Sequence, residues 1–297
     1  MWLSLSFLAL LMLSIRRSAE KTVSRKINSM AMVWLQQAVA LPLIFVTLFF
    51  ARFYWPNELS AKFWLLLSLY IVTSAIDLYC YFKAISIADI SYVAPLLTLF
   101  VVGNIAGAYL ILGQAPSATG MIGASLIMAG AYLSNLSKRR QKVNLKQNQI
   151  ALILVLISVV LRSLYSNIEV IMLRETNPIS YNFYSSVLTV PFVILVTWLI
   201  VKQRQSEYEN YWFNLKIGVK NHIWPLVFVG VTYTINMLAT YQAKLISPNA
   251  AYVGAIKSAT VLPLVLIGIF FFKEKVVRLQ WVGLILILFG LATLATN

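Results

Sequence analysis

Long apolar runs separated by short polar segments make up nearly the whole chain, and each run has 15 to 24 residues. A helix of about 20 apolar residues crosses the hydrocarbon core of a bilayer, and a helix satisfies its own backbone in lipid. Each run therefore predicts a membrane-spanning helix. The predicted spans are 2–23, 30–50, 63–84, 90–112, 120–136, 150–173, 179–201, 223–246, 250–272 and 279–293.

The second half of this pattern repeats the first. A shift of 160 positions pairs Gln114 with Glu274, Gly123 with Gly283 and Gly130 with Gly290, and a shift of 149 pairs Glu20 with Glu169. Many transporters are built from two such repeats with the binding site between them. We expect ten transmembrane helices in an all-α membrane protein, with one five-helix repeat in residues 1–137, a basic linker in 138–148 and the other repeat in 149–297.

Composition supports a membrane protein and argues against an enzyme. Hydrophobic residues make up 60% of the chain and charged residues 11%, whereas about a quarter of the residues of a soluble domain are charged. With Cys80 as the single cysteine and His222 as the single histidine, disulfide frameworks and thiolate or histidine-cluster metal sites are excluded. The sequence has no glycine-rich phosphate loop and no convincing Ser/His/Asp set. We expect no enzymatic activity, no cofactor and no metal.

The net charge of +15 is distributed unevenly across the predicted spans. The loops on one side receive 17 Lys and Arg residues and those on the other side four, Lys244 among the four. The positive-inside rule puts the rich side, including 138–146, in the cytoplasm and both termini outside. Five spans per repeat then make the repeats inverted. This topology and attraction to anionic headgroups explain the charge better than nucleic-acid binding does.

Each repeat closes with a similar motif, in which a helix and a short turn precede a glycine-spaced final helix. Gln114 lies in the first turn, and Glu274 lies in the second, within Phe-Lys-Glu-Lys. This arrangement resembles the EamA domain of the drug/metabolite transporter superfamily, and the resemblance covers nearly the whole chain. The sequence departs from the family in having Gln114 where Glu is usual and Arg16 and Arg17 in place of a Trp-Gly pair. The resemblance implies a secondary transporter, usually an exporter, with a central cavity between its halves.

Ionisable residues inside the spans are the first candidates for a binding site, because each is costly in hydrocarbon unless it faces a cavity or a partner. Lys257 is a candidate anchor for an anionic or zwitterionic substrate. The alternatives are an ion pair with Asp77 or Glu169, or a side chain that reaches the interface. Asp77 is either a proton-binding group or the counter-charge of Lys83 or Lys257. Arg162 and Glu169 are further cavity candidates, with an architectural role favoured for Glu169.

Amide and aromatic side chains give a weaker signal, since they also serve as packing contacts between membrane helices. The candidates for a substrate-binding cavity are Trp34, Gln37, Tyr184, Tyr233 and Asn236. Gly103 and Gly107 predict a close helix contact within the monomer. Pro95, Pro191 and Pro263 are candidate bending points. The segment 202–222 predicts a short interfacial helix with Tyr208, Tyr211, Trp212 and Leu215 at helical spacing.

These features predict a secondary active transporter in the cell membrane. We expect it to export a small polar metabolite, anionic or zwitterionic, by alternating access. The expected partners are that substrate and membrane lipids, with a coupling proton as a further candidate, and we expect a monomer or a weak homodimer. The alternatives are a flippase for a lipid-linked sugar and a passive channel.

Overall fold

The structure is a computed structural model that describes residues 1–24, 29–50, 59–87, 93, 96–136, 145–202, 205–260, 262, 263, 265 and 278–296. All regular elements in these residues are α-helices. They are α1 (Trp2–Ser24), α2 (Ser29–Phe50), α3 (Ala61–Ile87), α4 (Phe100–Leu112), α5 (Ala118–Leu136), α6 (Leu145–Glu175), α7 (Pro178–Lys202), α8 (Gln205–Asn221), α9 (Ile223–Ile246), α10 (Ala250–Ser258) and α11 (Arg278–Ala295).

Several of these helices suit a membrane by length and composition. Five apolar stretches in the described residues are long enough to cross it: Ala61–Tyr81, Gln149–Glu175, Pro178–Leu199, Ile223–Ile246 and Arg278–Ala295. Three shorter apolar stretches are Trp34–Phe49, Phe100–Leu112 and Ala118–Ser134. The chain is therefore a helical membrane protein.

The short helix predicted within 202–222 is confirmed as α8. Its residues Tyr211, Trp212 and Leu215 pack against Leu35 and Leu226. This contact joins α8 to α2 and α9. Because the apolar face of α8 is buried in this way, the helix is held against the bundle.

Some predictions fall outside the described residues, among them Pro95, Glu274 and most of the basic linker. Of that linker, the described part is helical, because α6 already begins at Leu145.

Two helices are shorter than predicted, and they are interrupted at corresponding places. In the run 90–112, residues 98 and 99 form a turn before α4, and in 250–272 a turn at 259 and 260 follows α10. At both turns an N–H group bonds three residues back, from Leu99 to Leu96 at 3.1 Å and from Ala259 to Ile256 at 2.9 Å. This bonding is tighter than that of an α-helix. Pro263 contributes at the second turn, because its ring crowds the Ala259 carbonyl and it has no N–H.

Closely packed glycines join the last helices of the two repeats, α5 and α11. A Cβ on Gly123 would lie 2.9 Å from the Gly290 carbonyl oxygen, and one on Gly283 would lie 2.5 Å from the Gly130 carbonyl oxygen. The repeat pairs Gly123 with Gly283 and Gly130 with Gly290, so each glycine faces the equivalent of the other one. Such a crossed pattern arises only if the two helices run antiparallel.

Helix α3 packs across α6, and helix α9 packs across α1. These two helix crossings are also related by the repeat. A shift of 159 positions places the buried residues Leu67, Asp77 and Ala84 of α3 on Leu226, Asn236 and Ala243 of α9, which are buried as well. Each third helix therefore packs on the first helix of the other repeat through the same face.

The turn before α5 is fastened to the start of α10. Gln114 Oε1 accepts a hydrogen bond from the Ala250 N–H at 3.0 Å, and the Gln114 carbonyl accepts one from Asn249 Nδ2 at 3.0 Å. The Tyr252 hydroxyl accepts a bond from the Ser117 N–H at 2.8 Å. The amide of Gln114 thus satisfies an N–H at the beginning of α10, which an acidic or amide side chain in this turn is suited to do.

Candidate functional site

Lys257 lies in the last turn of α10, just before the interruption, and is partly exposed. Its Nζ donates to Thr240 Oγ1 of α9 at 3.0 Å. Thr240 in turn donates to the Asn236 carbonyl at 2.7 Å. The ion pairs of Lys257 with Asp77 or Glu169 considered from the sequence do not form among the described residues. The ammonium group rests on a hydroxyl instead of a carboxylate.

Three further cations lie near Lys257. Arg16, Arg17 and Lys244 all interact with it electrostatically. Arg17 Nη1 donates to Thr260 Oγ1, within the interruption, at 3.0 Å. Helix α1 of the first repeat therefore meets α9 and α10 of the second here. We call Arg16, Arg17, Lys244 and Lys257 the cationic site.

One of the predicted candidates, Tyr233, lies beside Arg16 at the edge of the cationic site, and a second, Gln37, lies next to Tyr233. The Arg16 guanidinium carbon is 5.2 Å from the centroid of the Tyr233 ring, a cation–π distance. The Gln37 side chain of α2 lies close enough to Tyr233 to interact with its hydroxyl group. Tyr233 is buried in α9. The structure therefore places Tyr233 in contact with one residue of the cationic site, Arg16.

Lys244 forms a buried ion pair, so its assignment to a surface loop was wrong. Its Nζ donates to Glu169 Oε2 of α6 and, at 2.9 Å each, to the carbonyl and hydroxyl oxygens of Ser166. Lys244 and Glu169 are both buried. Although Lys244 is near the end of α9, its side chain turns towards α6, because three acceptors there satisfy the ammonium group. Glu169 thus joins α6 to α9 in an ion pair, which agrees with the architectural role favoured for it from the sequence.

Asp77 is fully buried in α3, and every bond it makes is to α6. It accepts hydrogen bonds from Ser158 Oγ, from Arg162 Nε and Nη2 at 3.1 Å each, and from the Tyr165 hydroxyl at 2.9 Å. The proposed pairing with Lys83 or Lys257 was therefore wrong: α3 packs on α6, which brings Arg162 to this carboxylate. A carboxylate has about four acceptor positions, so Asp77 has none left for a substrate.

The other predicted candidates lie in packing contacts. Tyr184 packs edge-on against Phe63 and Trp64, with ring centroids 5.9 and 5.7 Å apart. Trp34 packs in the cluster under α8. Asn236 donates from Nδ2 to the Ala9 carbonyl of α1 at 2.5 Å. Neither Trp34 nor Tyr184 is brought to the cationic site, whereas Asn236 lies one turn from Thr240.

Gly103 and Gly107 form the predicted contact within the monomer. A Cβ on either glycine would collide with α6, at Ser163 for Gly103 and at Asn167 for Gly107. Asn167 Nδ2 donates to Asn104 Oδ1 at 3.1 Å and so ties α6 to α4. These residues are packing contacts between helices.

The sequence also contained site residues that its analysis did not select. Arg16 and Arg17 were counted as loop charges and as a departure from the family pattern but not as site residues, although they lie within the predicted span 2–23. Thr240 and Thr260 carried no signal in the sequence. Asn182 is also new. It is fully buried in α7, and neither atom of its carboxamide has a hydrogen-bond partner among the described residues. A buried amide in an apolar run was the available signal for Asn182.

The sequence profile of the EamA-like transporter family matches residues 1–136 and 149–296. A solved structure, described only as the crystal structure of a protein, is similar with a TM-score of 0.67. The alignment covers 98% of this chain and 95% of the other at 13% sequence identity. At that identity the likeness shows the fold alone. No curated protein matches this sequence.

Proposed function

Because the chain belongs to the EamA-like transporter family, within the drug/metabolite transporter superfamily, we propose that it is a secondary active transporter that exports a small polar anion. The observation that carries this proposal is Lys257, a partly exposed ammonium bonded to a threonine hydroxyl beside other cations. A cation at this depth is costly without an acidic partner. An anionic substrate supplies that partner.

The structure favours an anion over a zwitterion. A zwitterion also needs an acceptor for its own positive group. Of the carboxylates near the described helix crossings, Asp77 is saturated by α6 and Glu169 is bonded to Lys244. Neither is available for a substrate ammonium group. Export of an amino acid would therefore need a different acceptor.

The proposed topology has ten spans in two inverted repeats, with both termini outside the cell membrane. The antiparallel packing of α5 on α11 supports this arrangement. The excess of basic residues on one predicted side supports the orientation. The cationic site then lies between the repeats, which is where transporters of this kind bind their substrates.

The interruptions in the two predicted spans suit alternating access. Lys257 lies before the second interruption, and Thr260, which bonds to Arg17, lies within it. An anion held by Lys257 and Arg17 bridges this turn and α1. Binding and release therefore change the restraints on a segment that already lacks regular α-helical bonding. In this mechanism the segment moves as the site changes from one face of the membrane to the other.

Metabolite profiling with a Lys257 variant tests the proposal. Cells producing the wild type should accumulate at least one anionic metabolite in the medium, and cells producing Lys257→Met at equal abundance should not. Methionine keeps most of the stem packing and removes the charge. The matched control is Lys62→Met, at the exposed start of α3. Undiminished anion export by folded Lys257→Met would refute the proposed role.

The same protein, reconstituted in vesicles, separates a carrier from the two alternatives. Counterflow of the identified anion, saturating with its concentration, is expected of a carrier. Flux that never saturates indicates a channel. Transport of a solute that partitions into detergent micelles instead of water indicates a flippase.

A further inference from the structure

We propose that the carboxamide of Asn182 in α7 is a second contact for the transported solute, and that it binds a neutral hydroxyl or carboxamide group of that solute. This inference rests on the proposed function and specifies its substrate class. The substrate is then a small anion that also carries a neutral group able both to donate and to accept a hydrogen bond.

The inner side of α7 is polar. The exposed residues on the outer side of this helix include Leu188, Leu195 and Leu199. The buried polar residues on the other side are Asn182, Ser185, Ser186, Thr189 and Thr197. Their spacing places them on one face, and α7 packs against α2, α3 and α9. Polar groups inside a membrane bundle are costly and are typical of a solute pathway.

Asn182 differs from an ordinary packing contact on this face. It is fully buried, and among the described residues neither its Nδ2 nor its Oδ1 has a hydrogen-bond partner. The same is true of Thr189 Oγ1, seven residues further along the face. An unbonded polar group in the interior is costly. The repeat gives no architectural reason for either residue, since a shift of 149 positions places Asn182 on Val33 and Thr189 on Ala40.

Asn182 lies at a similar level of the bundle to Lys257. The preceding residue, Tyr181, packs edge-on against Tyr241 of α9, with ring centroids 5.0 Å apart. Tyr241 follows Thr240, whose hydroxyl accepts the bond from Lys257. A solute held by Lys257 can therefore extend towards α7. It reaches Asn182 when α7 and α9 separate, a movement of the kind that alternating access requires.

The chemistry of the amide selects the group that it binds. A carboxamide has an NH2 group that donates and an oxygen that accepts. A solute carboxylate would satisfy only the NH2 group of Asn182, and a solute ammonium group only its oxygen. A hydroxyl or carboxamide group satisfies both, because it donates and accepts. The anionic group of the solute then stays with Lys257.

Thermal unfolding of the purified protein in detergent tests this preference. The probes are two pairs of monoanions of matched chain length: gluconate with hexanoate, and succinamate with isocaproate. The first member of each pair carries hydroxyl groups or a carboxamide, where the second carries hydrocarbon. They are compared at low millimolar concentration, equal ionic strength and mildly acidic pH, which keeps lysine protonated and carboxylates ionised. Binding raises the unfolding temperature, and we expect at least one polar probe to bind about tenfold or more tightly than its apolar partner.

Variants assign the preference to Asn182. Asn182→Val introduces the residue of the first repeat and should abolish the difference within each pair. Asn214→Val makes the same change at an exposed position of α8 and should retain it. Preference for gluconate identifies a hydroxylated anion and preference for succinamate an amide; either outcome supports the proposal. Equal stabilisation by both members of each pair, no stabilisation by either polar probe, or an unchanged preference in Asn182→Val overturns it.

Stability without ligand separates a solute contact from an architectural one. Removing a buried amide that has no partner should leave the unfolding temperature unchanged or raise it. Asn167→Val is the contrasting variant, because it deletes the bonds from Nδ2 to Asn104 Oδ1 and to the Ser163 carbonyl, and it should lower the unfolding temperature. A loss in Asn182→Val as large as that in Asn167→Val would show that the amide supports the fold, and would overturn the proposal.

The two proposals fail in different ways. If both members of each pair bind equally and both are lost in Lys257→Met, the role of Asn182 fails while the proposed transport of anions stands. If Lys257→Met exports anionic metabolites like the wild type, the proposed function itself fails.

Discussion

The α3–α6 and α9–α1 crossings are equivalent in the repeat but use different chemistry. In the first, Asp77 accepts hydrogen bonds from Ser158, Arg162 and Tyr165. In the second, the equivalent of Asp77 is Asn236, which donates to the Ala9 carbonyl. A charged cluster joins the two helices of the first crossing, and a neutral amide joins those of the second.

The cations of α1 in the second crossing, Arg16 and Arg17, belong to the cationic site. A shift of 149 positions places Arg16 at the position of Tyr165 and leaves Leu13 at that of Arg162. Arg16 stacks on Tyr233, and Arg17 bonds to Thr260, beside Lys257. No carboxylate takes the place of Asp77 here, since the equivalent residue is Asn236. The duplication has produced one crossing for architecture and one for the proposed binding site.

The largest difference between the crossings should appear when both receive the same substitution. Asp77→Leu strands the Arg162 charge in the interior and should lower the free energy of unfolding by about 3 to 5 kcal/mol. The unfolding temperature in detergent, followed by tryptophan fluorescence, measures the loss.

The double variant Asp77→Leu/Arg162→Met is the control for this prediction. It removes both charges and should recover most of the loss, since an apolar pair of similar volume often replaces a buried ion pair without net cost. If Asp77→Leu is as stable as the wild type, Asp77 does not hold the crossing.

An intermediate effect is expected when a single donor is removed from the charged crossing. Tyr165→Phe leaves the ring in place and deletes one hydrogen bond to a carboxylate, which should cost about 1.5 to 3 kcal/mol. In the background Asp77→Leu/Arg162→Met the same change should cost much less. Equal losses in both backgrounds would mean that the hydroxyl acts independently of Asp77.

The smallest effect is expected at the neutral crossing. Asn236→Leu removes the bond to Ala9, whose carbonyl belongs to a helix, and should cost about 1 kcal/mol. Measured with Asp77→Leu under the same conditions, it tests the comparison directly. A loss as large as that of Asp77→Leu would show that the amide, like the ion pair, supports an essential contact.

Much of the fold could be predicted from the sequence, because the signals are local or periodic. Apolar runs predicted the helices, the closing motif predicted the family, and the spacing of Tyr211, Trp212 and Leu215 predicted α8. The interruptions were not predicted. The runs 90–112 and 250–272 are apolar throughout, and hydropathy does not distinguish an α-helix from a helix with a tighter turn.

The candidate site was predicted only in part. Lys257 could be selected from the sequence because a single cation in an apolar run is evident from the run itself. This signal does not depend on how the helix packs. Its neighbours could not be selected, because Arg16, Thr240 and Lys244 come from other helices and reach Lys257 only through packing.

The sequence by itself determined that the chain is a duplicated, helical membrane protein, since composition and periodicity do not depend on which helices touch. Only the tertiary structure decided which charges neutralise one another. Asp77 and Arg162 are 85 residues apart and Lys244 and Glu169 are 75 apart, and hydropathy patterns assign no partner over such separations. The physical reason is that an ion pair depends on contact within a few ångströms. Which helix faces pack together therefore determines which cations lie near Lys257.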